Sequence, residues 1–226
     1  MLRGLFVTGT DTCVGKTVAA AALLCRYRGE IPLRYWKPIQ TGIEQDDDTA
    51  EVRRLSDASD DEIFAEGIRL PNPVSPHLAA QQSGQTIDLL FLGDMARRRA
   101  SARHDQEKRW IVEGAGGALV PVNDTALMTD LMALLDLPVL IVARNALGTI
   151  NHTLLTLEAL RARGRRIAGV LMSGSGDGSN AKAIEHYGKI SVINEIPHFH
   201  QLPSKEFKQW AETEFDPKGS LLEFLQ

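Results

Sequence analysis

Cysteine is scarce in this chain: Cys13 and Cys25 are the only two among 226 residues. They form no Cys-x-x-Cys pair, so no disulfide framework is suggested and a reducing, cytoplasmic setting is expected. No apolar run reaches the ~18 residues that a membrane-spanning helix needs. An excess of one charge is also missing: 25 Lys and Arg against 29 Asp and Glu give a net charge of -4. General attraction to nucleic acid or to an anionic membrane is therefore not expected. The basic stretches "RRRASARH" from Arg97 and "RARGRR" from Arg161 read as solvated helix faces or ends. No internal repeat is visible. No signal peptide is expected either, because the Ala-rich stretch from Ala19 is better used as a helix. The length suits one α/β unit over residues 1–226, large enough for a sizeable core.

What is present begins with "VTGTDTCVGKTV", residues 7–18. A phosphate-binding loop has Gly, four residues, then Gly-Lys-Ser/Thr. Counting back from Gly15, the first glycine should stand at position 10, which is Thr10, with Gly9 one place earlier. The apolar run Leu5-Phe6-Val7 precedes the loop and reads as a buried strand. "KTVAAAALLCRYR" follows and is rich in helix formers. A tight turn between strand and helix would explain Gly9 and Gly15, but not Gly-Lys-Thr at the helix start. In a phosphate cradle Gly15 lets the backbone approach an anion, and Lys16 reaches the outer phosphates. The Thr17 hydroxyl ligates Mg²⁺, and the free N–H groups of the helix start face the charge.

Strands and helices alternate along the rest. "PLRYWKPIQTG" gives a strand ending near Lys37, and "IEQDDDTAEVRRL" a loop entering a helix that Asp48 begins. "LPNPVSPHLAA" reads as an ordered loop or sharp turn, and "IDLLFLGDMARRR" as a helix. "RWIVEGAGG" is a strand over Trp110 to Val112, and "LPVLIVARNALG" a nearly all-apolar, central one. "TINHTLLTLEALRARG" is an amphipathic helix closed by Gly164. "RIAGVLMSGSG" and "SVINEIP" are two further strands, and a loop and helix end the chain. Strands this apolar are buried on both faces, so a mostly parallel sheet covered by helices is predicted. Ligands then bind at the carboxyl ends of the strands, where the glycine-rich and polar stretches fall. Glu113 follows "WIV" at such an end and is placed as a hard Mg²⁺ ligand or as an acid capping a turn. The triplet Asp46-Asp47-Asp48 is either solvated loop charge or part of the site.

Together, "VTGTDTxVGKT", "KPIQTG", "DDDTAEV", "NPVSPHLAA", "VEGAGG" and "LGTINHTLLTLEAL" resemble the dethiobiotin synthetase family. They lie in the family's order from Leu5 to about Pro197. The resemblance implies a P-loop NTPase-like three-layer fold, with helices on both faces of the sheet. It implies a ligase that closes the ureido ring of dethiobiotin from 7,8-diaminononanoate, CO₂ and ATP or another nucleoside triphosphate. The route is a carbamate, then a carbamic–phosphoric anhydride. Lys37 matches the family's catalytic lysine, with Lys16 and Thr12 beside it. Cys13, Val14, Gly15, Lys16, Thr17 and Val18 would hold the nucleotide, with Thr17, Asp48 and Glu113 on Mg²⁺. Gly114, Ala115 and Gly116 let the backbone approach substrate and phosphates. Thr41 would bind the carbamate or an amine. The family is a homodimer, which implies that the substrate carboxylate meets the partner's helix start at Gly148, Thr149, Ile150 and Asn151.

Two departures stand out. Cys13 occupies a loop position often held by Glu. Ser173 and Gly174 occupy the place of an Asn-Asp pair that reads adenine, and a serine cannot make that bidentate contact. Weak discrimination among the four nucleoside triphosphates is therefore expected. Pro197, His198 and Phe199 remain near the base, and the pair His198 and His200 reads as part of this loop or as surface rather than as a metal site. Other readings are a P-loop ATPase of the partition or septum-site type, the synthetase half of a cobyrinic-acid amidotransferase, or a nucleotide-binding regulatory module. The first lacks an early loop lysine here, and the second needs a glutaminase domain. The third has no use for Lys37.

Overall fold

The computed structural model describes residues 2–197 and 204–226. Seven strands form one sheet in which every pairing is parallel. In chain order they are β1 (Gly4–Gly9), β2 (Leu33–Trp36), β4 (Ile63–Phe64), β6 (Arg109–Gly117), β7 (Val139–Arg144), β8 (Ile167–Ser173) and β9 (Val192–Ile196). Across the sheet the order is β4-β2-β6-β1-β7-β8-β9. Two short strands, β3 (Ile39–Thr41) and β5 (Ile68–Leu70), pair apart from it. Centrality belongs to β1, buried at every residue, and β7 lies directly beside it.

The helices are α1 (Lys16–Tyr27), α2 (Asp48–Ser56), α3 (Pro76–Gln82), α4 (Leu89–Ser101), α5 (Met128–Leu135), α6 (Thr149–Ala162), α7 (Ser179–Gly188), α8 (Ser204–Thr213) and α9 (Leu222–Leu225). They divide between the two faces. Leu5 and Val7 of β1 pack with Ala19 to Leu24 of α1, Leu55 of α2 and Phe207 of α8. Phe6, between them, points the other way to Leu131, Leu157 and Ile184 of α5, α6 and α7. Successive side chains of a strand face opposite sides, so one strand feeds both cores. The expected three-layer architecture is present.

One local expectation needs correction, and another gains a detail. "SPHLAAQQ" is not a loop: Ser75 precedes α3, and Pro76 opens it at the first helical position. There a missing N–H costs nothing and the fixed φ suits a helix. At α2 the cap is Asp47, whose side chain accepts from the N–H groups of Thr49 and Ala50. Asp48 is the first helical residue, and its carboxylate is free of capping duty.

Charge is buried where β2 meets the chain before β6. The Arg34 guanidinium, inside the protein, lies 2.8 Å from the fully buried Asp105. Arg99 approaches the same carboxylate at 2.6 Å, and Arg34 also meets Asp61 at 3.3 Å. Breaking a buried pair from one side leaves an uncompensated charge. Asp105→Ala is therefore expected to cost about 3–5 kcal/mol of stability by that principle. Urea unfolding with a linear extrapolation checks it, and a loss below about 1 kcal/mol would show that water or Asp61 replaces the partner.

Candidate active site

The loop between β1 and α1 is built around two glycines. A Cβ at Gly9 would lie 2.6 Å from the Asp11 carbonyl oxygen, so the loop closes there and not at Thr10. Gly15 has φ 97°, a left-handed conformation that suits glycine. It precedes α1 without a side-chain cap, leaving the helix start open to an anion. Lys16 curls back to donate from Nζ to the Asp11 carbonyl at 3.0 Å. Its pKa is lowered, first by burial and then by the nearby Lys37 charge. Cys13 is exposed in this loop, with φ 54°.

Four side chains from four elements converge beside it. In the register of β2 and β6, Tyr35 stands opposite Ile111 and Trp36 opposite Val112. One step further, Lys37 comes opposite Glu113. Lys37 Nζ donates to Glu113 Oε1 at 2.8 Å and to the Gly114 carbonyl at 3.0 Å. It also meets Asp48 Oδ2 at 2.6 Å. Thr17 Oγ1 donates to Asp48 Oδ1 at 2.8 Å and has Glu113 Oε1 at 3.1 Å. Lys37 is 3% exposed and Glu113 0%. Burial alone would push the Lys37 pKa down, but Glu113 and Asp48 together outweigh it and hold the ammonium above the usual lysine value. Burial opposes the Asp48 charge in turn. Lys37 and the Thr17 hydroxyl outweigh that, so its carboxyl lies below the usual range.

The neighbours of this quartet fix it in place. Trp36 donates from its indole to the Glu66 carbonyl at 2.7 Å and packs against Phe64 and Trp110. Arg69 donates to the Lys37 carbonyl at 2.9 Å. Gln40 donates to the carbonyls of Thr41 and Asp46, tying β3 to the loop before α2. Tyr35 donates its hydroxyl to Glu113 Oε2 at 2.9 Å, and burial, then Glu113, holds that phenol neutral. Tyr35 has no motif of its own. Its signal was the period of two: it shares a strand face with Lys37.

The remaining candidates lie around this centre. Thr41 ends β3, which packs beside β6. Gly114 and Ala115 are buried, and Gly116 lies half-buried beside them near the end of β6. Val14 is buried under the loop and Val18 half-buried. Thr12, exposed, accepts from Arg144 at its carbonyl. It lines a cavity of about 510 Å³ with Asp11, Leu119, Pro121, His152 and Leu155. Gly148 precedes α6 with no side-chain cap, and the Thr149 N–H is taken by the Ala146 carbonyl. Ile150 and Asn151 follow in the first turn. Ser173 ends β8 against the loop: a Cβ on Gly15 would lie 2.9 Å from its hydroxyl. Pro197 follows β9, whereas His198, Phe199 and His200 lie outside the described residues.

A family profile described as an AAA domain matches residues 3–206. The chain is 47% identical over 195 residues to the ATP-dependent dethiobiotin synthetase BioD of Paramagnetospirillum magneticum, covering 86% of this chain and 88% of that protein. It is 39% identical to the enzyme of the same name from Agrobacterium fabrum, covering 97% of this chain and 96% of that one. The chain belongs to the dethiobiotin synthetase family. Forty per cent identity to a biotin biosynthesis bifunctional protein BioCD of Bordetella avium covers 92% of this chain but 42% of that protein. Solved structures share the fold. A ParA family ATPase from Chlorobium tepidum superimposes with a TM-score of 0.56 at 14% identity, covering 99% of this chain and 97% of that one. The septum site-determining protein MinD with Mg-ADP from Pyrococcus horikoshii gives 0.55 at 14%, covering 100% and 93%. The partition and septum-site reading therefore shares its architecture with this dethiobiotin synthetase family member, and identity this low extends no further.

The two thiols report on this geometry. Cys13 is exposed in the loop, while burial pushes the Cys25 thiol on α1 up to about 11. Because the thiolate is the reactive form, Cys25 stays inert until the pH nears that value or α1 opens. At pH 8 a thiol-reactive dye is expected to label Cys13 alone in the native protein, and ATP to protect it. Two fast-reacting thiols at pH 8 would contradict the buried placement of Cys25.

Proposed function

We propose that the chain, acting as one catalytic unit over residues 1–226, is an ATP-dependent dethiobiotin synthetase. It closes the ureido ring on 7,8-diaminononanoate with CO₂. The observation that carries this reading is the Lys37 ammonium, buried between Asp48 and Glu113, both of which meet Thr17 at the start of α1. A binding module needs no second buried cation there. One substrate amine takes up CO₂ and becomes a carbamate. A carbamate oxygen attacks the γ-phosphorus, and the bond from that phosphorus to the bridging oxygen of the nucleoside diphosphate breaks. The second amine then attacks the carbamic–phosphoric anhydride at carbon. Phosphate leaves, and the nitrogen loses its proton as the ring closes.

The first obstacle is repulsion between two anions. Fixed cations offset it where charge develops on the equatorial oxygens. Lys16 serves the β- and γ-phosphates, and Lys37 the carbamate and γ-phosphate together. Thr12 and Thr41 supply hydroxyls along the same edge, and the glycines after Glu113 leave room for the backbone to approach. The Thr17 hydroxyl lies within hydrogen-bond distance of both Asp48 and Glu113, and these hard oxygens are the donor set that suits Mg²⁺. Among the described residues no group of three or more His, Cys, Asp or Glu could cage a metal by itself. A few protein oxygens completed by phosphates is the usual way Mg²⁺ is held. Bound there, the ion would neutralise charge on the bridging and terminal phosphate oxygens.

A homodimer completes the reading. Leu147 is fully exposed just before α6, with Leu155 56% and Leu119 46% exposed near the same cavity. A second copy would cover these leucines and bring its uncapped α6 start, at Gly148 to Asn151, to the substrate carboxylate. Charge pairing at a helix start favours an anion. No described helix is long and apolar enough to cross a membrane, and both cysteines are free. A cytoplasmic location and freedom from nucleic acid are part of the same proposal.

The direct test is phosphate release that requires diaminononanoate and bicarbonate together. Lys37→Ala is expected to lower ring closure by ~100-fold or more while ATP still binds, as for removal of one fixed transition-state charge. Turnover near wild type at saturating substrates would remove Lys37 from the chemistry. For the dimer, Leu147→Glu is expected to reduce the light-scattering mass from two chains to one. A wild-type protein that already runs as a single chain would overturn the shared site.

A further inference from the structure

The nucleoside end of the site has a network of its own. Lys37, Asp48 and Glu113 belong to the β2 and β6 side of β1. A triphosphate whose last phosphate lies there extends its nucleoside the other way, over the ends of β7, β8 and β9. At that end one residue holds the Ser173-Gly174 pair. The Asn145 N–H donates to the Ser173 carbonyl at 2.7 Å, and Asn145 Nδ2 donates to the Gly174 carbonyl at 3.2 Å. The same amide nitrogen donates to Glu195 Oε2 at 3.3 Å, and Asn145 Oδ1 accepts from Asn180 Nδ2 at 2.9 Å. The Gly174 N–H is taken by the Ile196 carbonyl at 2.8 Å. One side chain thus ties together the ends of three parallel strands and the first turn of α7. The chain packs closely around it: a Cβ at Gly176 would lie 2.3 Å from the Asn145 amide nitrogen.

We propose that Asn145 is the positioning residue of the nucleoside platform, and that it sets how tightly base and ribose are held. This rests on reading the loop as a triphosphate cradle. Ser173 offers a hydroxyl where a bidentate reader would need an amide. The nucleoside must then be held by the shape of the Ser173-Gly174 turn, and Asn145 fixes that turn. With alanine at 145, the Gly174 carbonyl and the Glu195 carboxylate each lose a donor. The loop glycine against Ser173 keeps its place in β1 and α1. The effect is therefore confined to the nucleoside end.

Calorimetry on the full chain with Mg²⁺ separates the two ends, using ATP and inorganic tripolyphosphate as probes. Wild-type protein binds both if the loop is a triphosphate cradle. If it binds neither, that reading fails and the platform falls with it. Asn145→Ala is expected to weaken ATP about tenfold, the scale of one or two hydrogen bonds. Tripolyphosphate should change less than about twofold on that scale. Asn145→Asp keeps the shape but not the donors, and should match alanine for ATP. Asn180→Ala, one bond further out, should cost about threefold in ATP affinity on the same scale and stands as the test should the Asn145 variants not fold. Equal losses for both ligands would overturn the proposal by showing an effect on the loop itself. An unchanged ATP affinity in Asn145→Asp and Asn180→Ala would overturn it outright.

Discussion

A lysine with 3% of its surface exposed, facing a glutamate with none, is the constraint on which the rest of this molecule turns. Taking two charges out of water costs several kcal/mol per ion, and only close, fully bonded partners offset it. Here the offset comes from four elements at once: Thr17 of α1, Lys37 after β2, Asp48 of α2 and Glu113 of β6. Glu113 accepts from Lys37 at Oε1 and from Tyr35 at Oε2, so both of its oxygens are used. The sheet order follows this need. β6 is placed between β1 and β2, far from both in sequence, and delivers the acid between the phosphate loop and the lysine.

The acidic triplet shows how local chemistry feeds that centre. Three consecutive aspartates suggest one diffuse patch of charge. Instead they divide the work. Asp47 caps α2, accepting from two backbone N–H groups. Asp48, one residue on, is turned by the helix toward Lys37 and Thr17. The Asp46 carbonyl receives the Gln40 amide. Capping fixes where α2 begins, and the beginning of α2 fixes the direction of Asp48. A shift of one residue would turn that side chain by about 100°, since the helix has 3.6 residues per turn, and the lysine would lose a partner.

What the sequence made legible is bounded by the range of its signals. Lys16, Thr17 and Lys37 could be placed because each sits at a strand end or helix start within a short pattern, and parallel strands bring such ends together. Glu113, expected at the end of a strand closing at Val112, lies in the middle of β6, which runs on through the glycines to Gly117. The alternation that buries Trp36 on one face and Tyr35 on the other lay in the sequence as well, but no motif marked Tyr35 as the partner of Glu113. By contrast, α3 was hidden by its own prolines. Pro76 is compatible with a helix only at its first position, and composition alone does not say that the helix starts there. The role of Asn145 was not readable at all. Its partners, Gly174, Glu195 and Asn180, are 29, 50 and 35 residues away. No spacing rule connects residues that only the strand order β7-β8-β9 makes neighbours.

The two networks sit on opposite sides of β1 and share no side chain. On one side buried charges are matched to one another, so that altering any member leaves a charge unpaired in a poorly polarisable place. On the other, a neutral amide carries the contacts, to a backbone carbonyl, to the Asn180 amide and to the Glu195 carboxylate, and the neutral bonds are worth about 1 kcal/mol net each by the usual estimate. Changes there are tolerated singly, and their cost is local. This asymmetry explains how Ser173 and Gly174 can stand where an amide-bearing pair is expected while Lys37, Asp48, Glu113 and Thr17 keep their geometry. It also separates two properties that one pocket would have joined. In the proposed reading, the strength with which a base is held could vary through β7, β8 and β9 without disturbing the buried Lys37, because β1 and the phosphate loop lie between them.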